Sequence, residues 1–229
     1  EFFGGNVNVK YLVLTGNADD SLDWTDGWQG SVQYLLIEQA ADSGDNLIEA
    51  DNREGDENAQ PRSLPSIANM TAIGSPAQGG LRLRRGTGLE LYSAIVQDSD
   101  FCLRIQGESL ALLGTGINFD GVSFSCVNLL NGDDDAAILA LLDDSNVSEN
   151  GGSVAAADLS ANSFFDNTDY IGAIENSAND WTVGWTVGMP DGDVSFGCPA
   201  GTSEMAALDG STTTCALSGN IISDTLLTR

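Results

Sequence analysis

The chain contains no histidine. That removes the commonest zinc ligand, the imidazole of hydrolytic triads and the side chain best suited to moving protons near neutrality. Basic residues are scarce as well: 8 Lys and Arg stand against 34 Asp and Glu, a formal net charge of −26. Phosphate backbones are held by Lys and Arg that displace counterions, so this balance argues against nucleic acid as a partner, and against a bare anionic bilayer for the same reason. No apolar run approaches the ~20 residues of a membrane span, which points to no transmembrane segment. CxxC pairs are missing, which argues against a zinc knuckle or a thioredoxin-like centre. Phosphate-binding loops, G-x-G-x-x-G after a strand and G-x-S-x-G elbows are absent too. GTGLEL and GTGINF read as corners where Gly supplies a positive φ.

What is present is an acidic chain with apolar content sufficient to fold. Its 229 residues, 41% of them hydrophobic, suit one elongated domain with a sizeable core. Such a surface keeps a secreted protein soluble, and it also attracts hard cations that prefer oxygen ligands, Ca2+ above all. Four cysteines, Cys102, Cys126, Cys198 and Cys215, form an even set that suits two disulfides in an oxidising compartment. The chain opens at Glu1 without Met or signal peptide, so earlier residues are expected to have been removed or to lie in a longer precursor.

Five apolar stretches share one character: VNVKYLVL from Val7, SVQYLLI from Ser31, SIANMTAI from Ser66, LELYSAIV from Leu89 and VSFSCVNLL from Val122. They start roughly 22 to 35 residues apart, the period of solenoid coils, and end near Gly, Asn or Asp as strands do. A second strand follows in most coils. GNADDSLDW, SGDNLIEAD, GGLRLRRG and DFCLRIQG stack so that Leu22, Ile48, Leu81 and Leu103 share an inward position, and Trp24, Ala50, Leu83 and Ile105 the next. Period-two alternation places one face in a core; an amphipathic helix needs three- and four-residue spacing that these stretches lack.

Between the inward positions runs a column of Asp23, Glu49, Arg82 and Arg104, with Thr25, Asp51, Arg84 and Gln106 beyond it. At about 4.8 Å per coil, acidic rungs meet basic ones at the Glu49–Arg82 step. Parallel coils also bring the strands of Cys102 and Cys126 side by side, a staple between coils, while Cys198 and Cys215 would close a loop; four cysteines allow three connectivities. Only DDDAAILALLDDS, around Ala136 to Leu142, reads as a helix, with Asp at its start. The pattern predicts an all-β right-handed parallel β-helix over residues 1–188 with one short helical insertion. A disulfide-bridged extension over residues 189–229 follows.

EFFGGNVNVKYLVLTGNADDSLDWTDGWQG, GDNLIEADN, PRSLPSIANMTAIGSP and LRLRRGTGLELYSAIV, with FFDNTDYIGAI and DWTVGWT further on, resemble right-handed β-helix proteins of marine and other Gram-negative bacteria. These are described as surface proteins or lipoproteins without an established reaction. The resemblance implies the fold and an extracellular or cell-surface location. It also implies that CALSGNIISDTLLT, which closes this chain, has the character of a segment that opens such a helix. A strand carrying Ile221, Ile222, Leu226 and Leu227 would then complete the open first coil of a second copy, a head-to-tail contact that propagates as a filament.

Three candidate constellations follow. Asp19, Asp20 and Asp23 in one coil stack near Asp45, Glu49 and Asp51 in the next, an oxygen-rich set suited to Ca2+, although Asp and Asn also bond their own turns. Arg82, Arg84 and Arg85 beside those carboxylates imitate, by analogy with polysaccharide lyases of this fold, a basic residue that abstracts a sugar proton; guanidinium normally stays charged, which counts against it. Trp28 in TDGWQG offers an exposed aromatic platform for a sugar, whereas Trp24 points inward and Trp181 and Trp185 suit a cap. The role these residues favour is an extracellular structural or adhesive module. The competing role is a carbohydrate-active protein that binds or cleaves acidic polysaccharide.

Overall fold

Alternating side chains and polar corners divide the chain into strands joined in one repeating order. These are β1 (Phe2–Phe3), β2 (Val9–Thr15), β3 (Leu22–Thr25), β4 (Ser31–Glu38), β5 (Asn46–Ala50), β6 (Ser66–Ile73), β7 (Gly79–Leu83), β8 (Leu89–Gln97), β9 (Phe101–Ile105), β10 (Ile117–Ser125) and β11 (Asn128–Leu130). Helix α1 (Asp135–Asp143) and β12 (Asn146–Ser148) follow. The computed structural model describes residues 1–132 and 135–186, and the backbone of strands at 202–206 and 213–217. Two compact units result, Glu1–Asp180 and Trp181–Arg229. In the second, β13 (Thr202–Ala206) and β14 (Thr213–Leu217) pair antiparallel.

Successive strands of the first unit alternate between two sheets, β1-β3-β5-β7-β9-β11 and β2-β4-β6-β8-β10-β12, and every pairing is parallel. Parallel strands of one sheet need a crossover, and here the crossover is the strand of the other sheet. The result is a parallel β-helix. Its inward columns are those the alternation predicts: Leu22 pairs with Ile48, Ile48 with Leu81 and Leu81 with Leu103, while Trp24, Ala50, Leu83 and Ile105 stack beside them. All eight are buried. The facing sheet adds Val32, Ile67, Leu91 and Phe119 in one column and Ile37, Ala72, Val96 and Phe124 in another.

The long strands carry a feature that alternation does not reveal. Tyr11, Tyr34, Asn69 and Ser93 all adopt a positive φ, between 49° and 61°, and Gly121 follows at 71°. The strand pairing skips at these positions, so each coil turns at the same level. Residues other than Gly tolerate this conformation only where the surroundings hold them. Here a loop spanning residues 155–173 does so. It leaves Ser93, where Ala157 N–H donates to Ser93 Oγ (3.0 Å), and reaches Ser31 and Gln33, which exchanges two 2.8 Å bonds with the Asp166 backbone. It then returns past Asn69, whose Nδ2 donates to the Tyr170 and Gly172 carbonyls, to Thr71 and Ser93. Lys10 in β2 closes its tip through Asp166 at 2.7 Å.

Two sequence expectations need correction. VSFSCVNLL is not one strand: β10 begins earlier, at Ile117, and Cys126 lies in the corner before Asn128 opens β11. Trp28 is fully buried rather than exposed, stacked on Phe2 with ring centroids 4.2 Å apart, its Nε1 donating to the Val7 carbonyl. The polar TDGWQG turn folds inward because Gly30 lets the Val7 carbonyl approach to where a Cβ would sit 1.9 Å from it. Trp24 is buried as expected and donates to Thr87 Oγ1 (2.9 Å). Trp181 and Trp185 stack on each other within the second unit.

Cys102 and Cys126 form a disulfide with Cα atoms 5.4 Å apart, joining β9 to the corner after β10. Cys198 lies outside the described residues, and Cys215 falls in β14, where the backbone alone is described. Replacing both Cys102 and Cys126 by Ser releases a loop of 24 residues' separation and lowers unfolding free energy by about 2–4 kcal/mol. Urea denaturation measures this; an unchanged midpoint would show that the staple carries no stability.

Candidate functional site

The charged face is built by the short strands β3, β5, β7 and β9, whose outward residues stand in register. Asp23 pairs with Glu49, Glu49 with Arg82, and Arg82 with Arg104. Because the coils stack without offset, a carboxylate in one coil meets whatever the next coil places above it. Arg82 Nη1 donates to Glu49 Oε1 at 2.9 Å, and Arg84 bridges Glu49 and Asp51, the latter at 2.7 Å. Arg85 adds a 2.6 Å bond to Asp51 and a longer contact to Glu54. The Glu49 and Asp51 side chains are only 13% and 11% exposed, so the network is better shielded than an ordinary surface pair.

Glu1 is added at the edge of this face, within hydrogen-bonding reach of Asp23. Burial first, then the charges of Glu1, Asp20 and Glu49, push the Asp23 carboxyl from its ordinary 3.8 up to about 7. Glu49 also sits above its usual value, because burial and Asp20 outweigh its two guanidinium partners. A cleft of about 540 Å³ opens here between Glu1, Asp23, Arg53, Arg84 and Arg85. Arg53 is itself paired with Asp26 at 2.9 Å.

The six carboxylates expected to form one cation site separate into three groups. Asp19, Asp20 and Asp45 come together, with one oxygen of each within 4.8 Å of the others. Asn46 bridges two of them, donating from Nδ2 to Asp20 Oδ1 (2.9 Å) and Asp45 Oδ2 (3.0 Å), and its backbone N–H also reaches Asp20. Burial raises the Asp20 carboxyl, although the Asn46 bonds oppose it. Asp23 faces Glu1 instead, and Glu49 and Asp51 are held by arginines. Each of Arg82, Arg84 and Arg85 is bonded to a carboxylate, and the Asp51 bond holds Arg85 still more firmly as a cation. Asp135 opens α1, where a carboxylate complements the helix N-terminus. The assembly residues Ile221, Ile222, Leu226 and Leu227 lie outside the described residues.

Sequence reasoning missed Glu1 as the neighbour of Asp23, and Arg53 with Asp26 at the cleft rim. The column rule applied one coil earlier, to EFF, would have found Glu1, because Phe2 pairs with Trp24 and Phe3 with Thr25.

Two outcomes follow. Asp51→Asn leaves Arg84 and Arg85 without their shared anion and lowers stability by about 1–3 kcal/mol in chemical denaturation. Asp23 binds its proton more tightly folded than unfolded, so its contribution to stability falls as pH rises from near 3.8 to about 7 and stays low above that. Asp23→Asn is therefore more stable than the parent above pH 7, and the gain vanishes towards pH 4. A gain independent of pH would contradict the carboxylate cluster.

No curated protein and no solved structure matches the chain. A model of the pectate-lyase-like β-helix domain matches residues 1–186, the stretch that holds every coil, the ionic face and the returning loop. The chain belongs to the pectate-lyase-like β-helix domain family.

Proposed function

We propose that this domain is an extracellular structural or adhesive module, a rigid acidic solenoid that is secreted or displayed on a cell surface. The observation that carries the reading is the arginine network. Arg82, Arg84 and Arg85 join neighbouring coils through Glu49 and Asp51 and are thereby committed to structure. A lyase of this fold needs a base at the sugar carbon, and a guanidinium fixed between carboxylates does not release its proton at ordinary pH. The Cys102–Cys126 disulfide is compatible with an oxidising environment, and among the described residues no helix is long and apolar enough to cross a membrane. Adhesion to an extracellular polysaccharide would use the cleft between Asp23 and Arg85, where hydroxyl groups find carboxylates and guanidinium edges together.

Calcium is a secondary element of the reading. Asp19, Asp20 and Asp45 present converging oxygens of the kind a hard cation prefers, and an ion there would join the corners before β3 and β5.

Incubation with polygalacturonate, with and without Ca2+, is expected to give no rise in the ultraviolet absorbance of unsaturated sugar ends. Turnover that disappears in Arg85→Ala would replace the structural reading by the enzymatic one. Ca2+ is expected to raise the melting temperature of the parent but not of Asp20→Asn; an equal response of both would remove calcium from this turn. Surface labelling of intact producing cells tests the location, and a label confined to lysed cells would refute it.

A further inference from the structure

The outward column that runs through Glu49 and Arg82 meets a mismatch deeper in the solenoid. Arg82 is answered by Glu49, but Arg104 stands one rung further on, behind a like charge. Among the described residues Arg104 forms no ion pair, and its Nε is buried without a hydrogen-bond partner. The next rung comes from β11. Leu130 pairs with Leu103, and Asn131 N–H donates to the Leu103 carbonyl at 3.2 Å, so Asn131 takes the station beside Arg104. The stacking rule calls for a carboxylate there. The sequence holds the corresponding amide, and Gly132 follows it.

An asparagine before glycine is open to attack on its side-chain amide by the next backbone nitrogen, because no Cβ crowds the approach or restricts the backbone. The chain holds two such pairs, Asn131–Gly132 and Asn150–Gly151, and both asparagines are exposed. The fold treats them differently. Gly151 N–H is committed to the Phe124 carbonyl at 2.7 Å, so its nitrogen attacks only after giving up that bond. Gly132 N–H donates to no carbonyl among the described residues. Asn131 and Gly132 also lie between the end of β11 at Leu130 and the start of α1 at Asp135, where a ring in the backbone interrupts neither element.

We propose that Asn131–Gly132 is a self-modifying site, at which spontaneous loss of the amide supplies the carboxylate that Arg104 lacks. The Gly132 nitrogen gives its proton to solvent and bonds to Asn131 Cγ; the Cγ–Nδ2 bond breaks and ammonia leaves. Water then opens the succinimide at either carbonyl, to aspartate or isoaspartate. The net exchange is an amide and water for a carboxylate and ammonium, with no oxidant or reductant. The new charge stands one rung from Arg104, as Glu49 stands one rung from Arg82. Isoaspartate's extra backbone methylene falls beyond the last pair of the β11 ladder. The inference stands apart from the extracellular reading, since it rests on this turn and its rung alone.

The test holds the intact chain at mildly alkaline pH, digests samples with pepsin in acid, and follows the Asn131 and Asn150 peptides by mass spectrometry. Asn131 is expected to convert roughly tenfold faster than Asn150, the factor that one backbone hydrogen bond at Gly151 corresponds to. In urea the two sites are expected to convert at similar rates. Gly132 has no positive φ, and a Cβ there would first meet the movable Asp135 carboxylate at 3.1 Å. Gly132→Ala is therefore expected to fold, to slow conversion at Asn131 and to leave Asn150 unchanged. Equal rates at both sites in the folded chain, or an intact Asn131 where the unfolded chain converts, overturns the proposal. Asn131→Asp is expected to raise the urea midpoint of the parent but not of Arg104→Gln. An equal rise in both, or a rise in neither, overturns the pairing with Arg104.

Discussion

Stacking without offset is the constraint on which this molecule rests. When parallel coils lie in register at about 4.8 Å, each side chain takes as its nearest neighbour the residue at the same station of the next coil. For aliphatic residues this is favourable everywhere: Leu81 lies between Ile48 and Leu103, and the column fills without special design. For charged residues the same geometry brings like charges together unless the sequence alternates them. The chain resolves the problem in the middle of the solenoid, with Glu49 and Asp51 against three arginines, and leaves it unresolved at the edge, where Glu1 and Asp23 meet. The raised Asp23 carboxyl and the cross-linked coils are two results of one rule.

The rule also explains what was legible in the sequence. Inward columns, the charge step at Glu49–Arg82 and the Cys102–Cys126 bridge follow from period-two alternation and coil spacing, because each depends only on neighbours in the stack, while the helix around Ala136 is marked by an Asp-led apolar run instead. Trp28 was misread because its position in a polar corner carries no alternation, and burial there is decided by Phe2 in the preceding coil. The column of left-handed residues escaped notice because Tyr11, Tyr34, Asn69 and Ser93 share a backbone angle and no side-chain chemistry. At the candidate site, the proximity of carboxylates and arginines was legible. Their partition into a cation-seeking turn, an arginine network and a proton-retaining pair was not, since that depends on side-chain reach rather than on rung position.

Family membership fixes the architecture and leaves the chemistry to the surface. The outer face of this member invests its few cations in holding coils together. In a chain with 34 acidic side chains, concentrating the arginines at residues 53–104 makes that stretch the one place where the solenoid is close to neutral.

The returning loop has a consequence for how the molecule comes apart. Solenoids ordinarily unfold like a frayed rope, losing terminal repeats one by one, since each repeat touches only those beside it. Here Asp166 is tied to Gln33 and Lys10 while Ala157 and Gly172 are tied to Ser93, so the opening coils and the β8 coil share one clasp. The first coil cannot peel away without also releasing segments more than a hundred positions downstream. Cooperativity that a stack of neighbours lacks is thereby imposed along its side. A nascent chain must be synthesised past Asp166 before its earliest coils are secured.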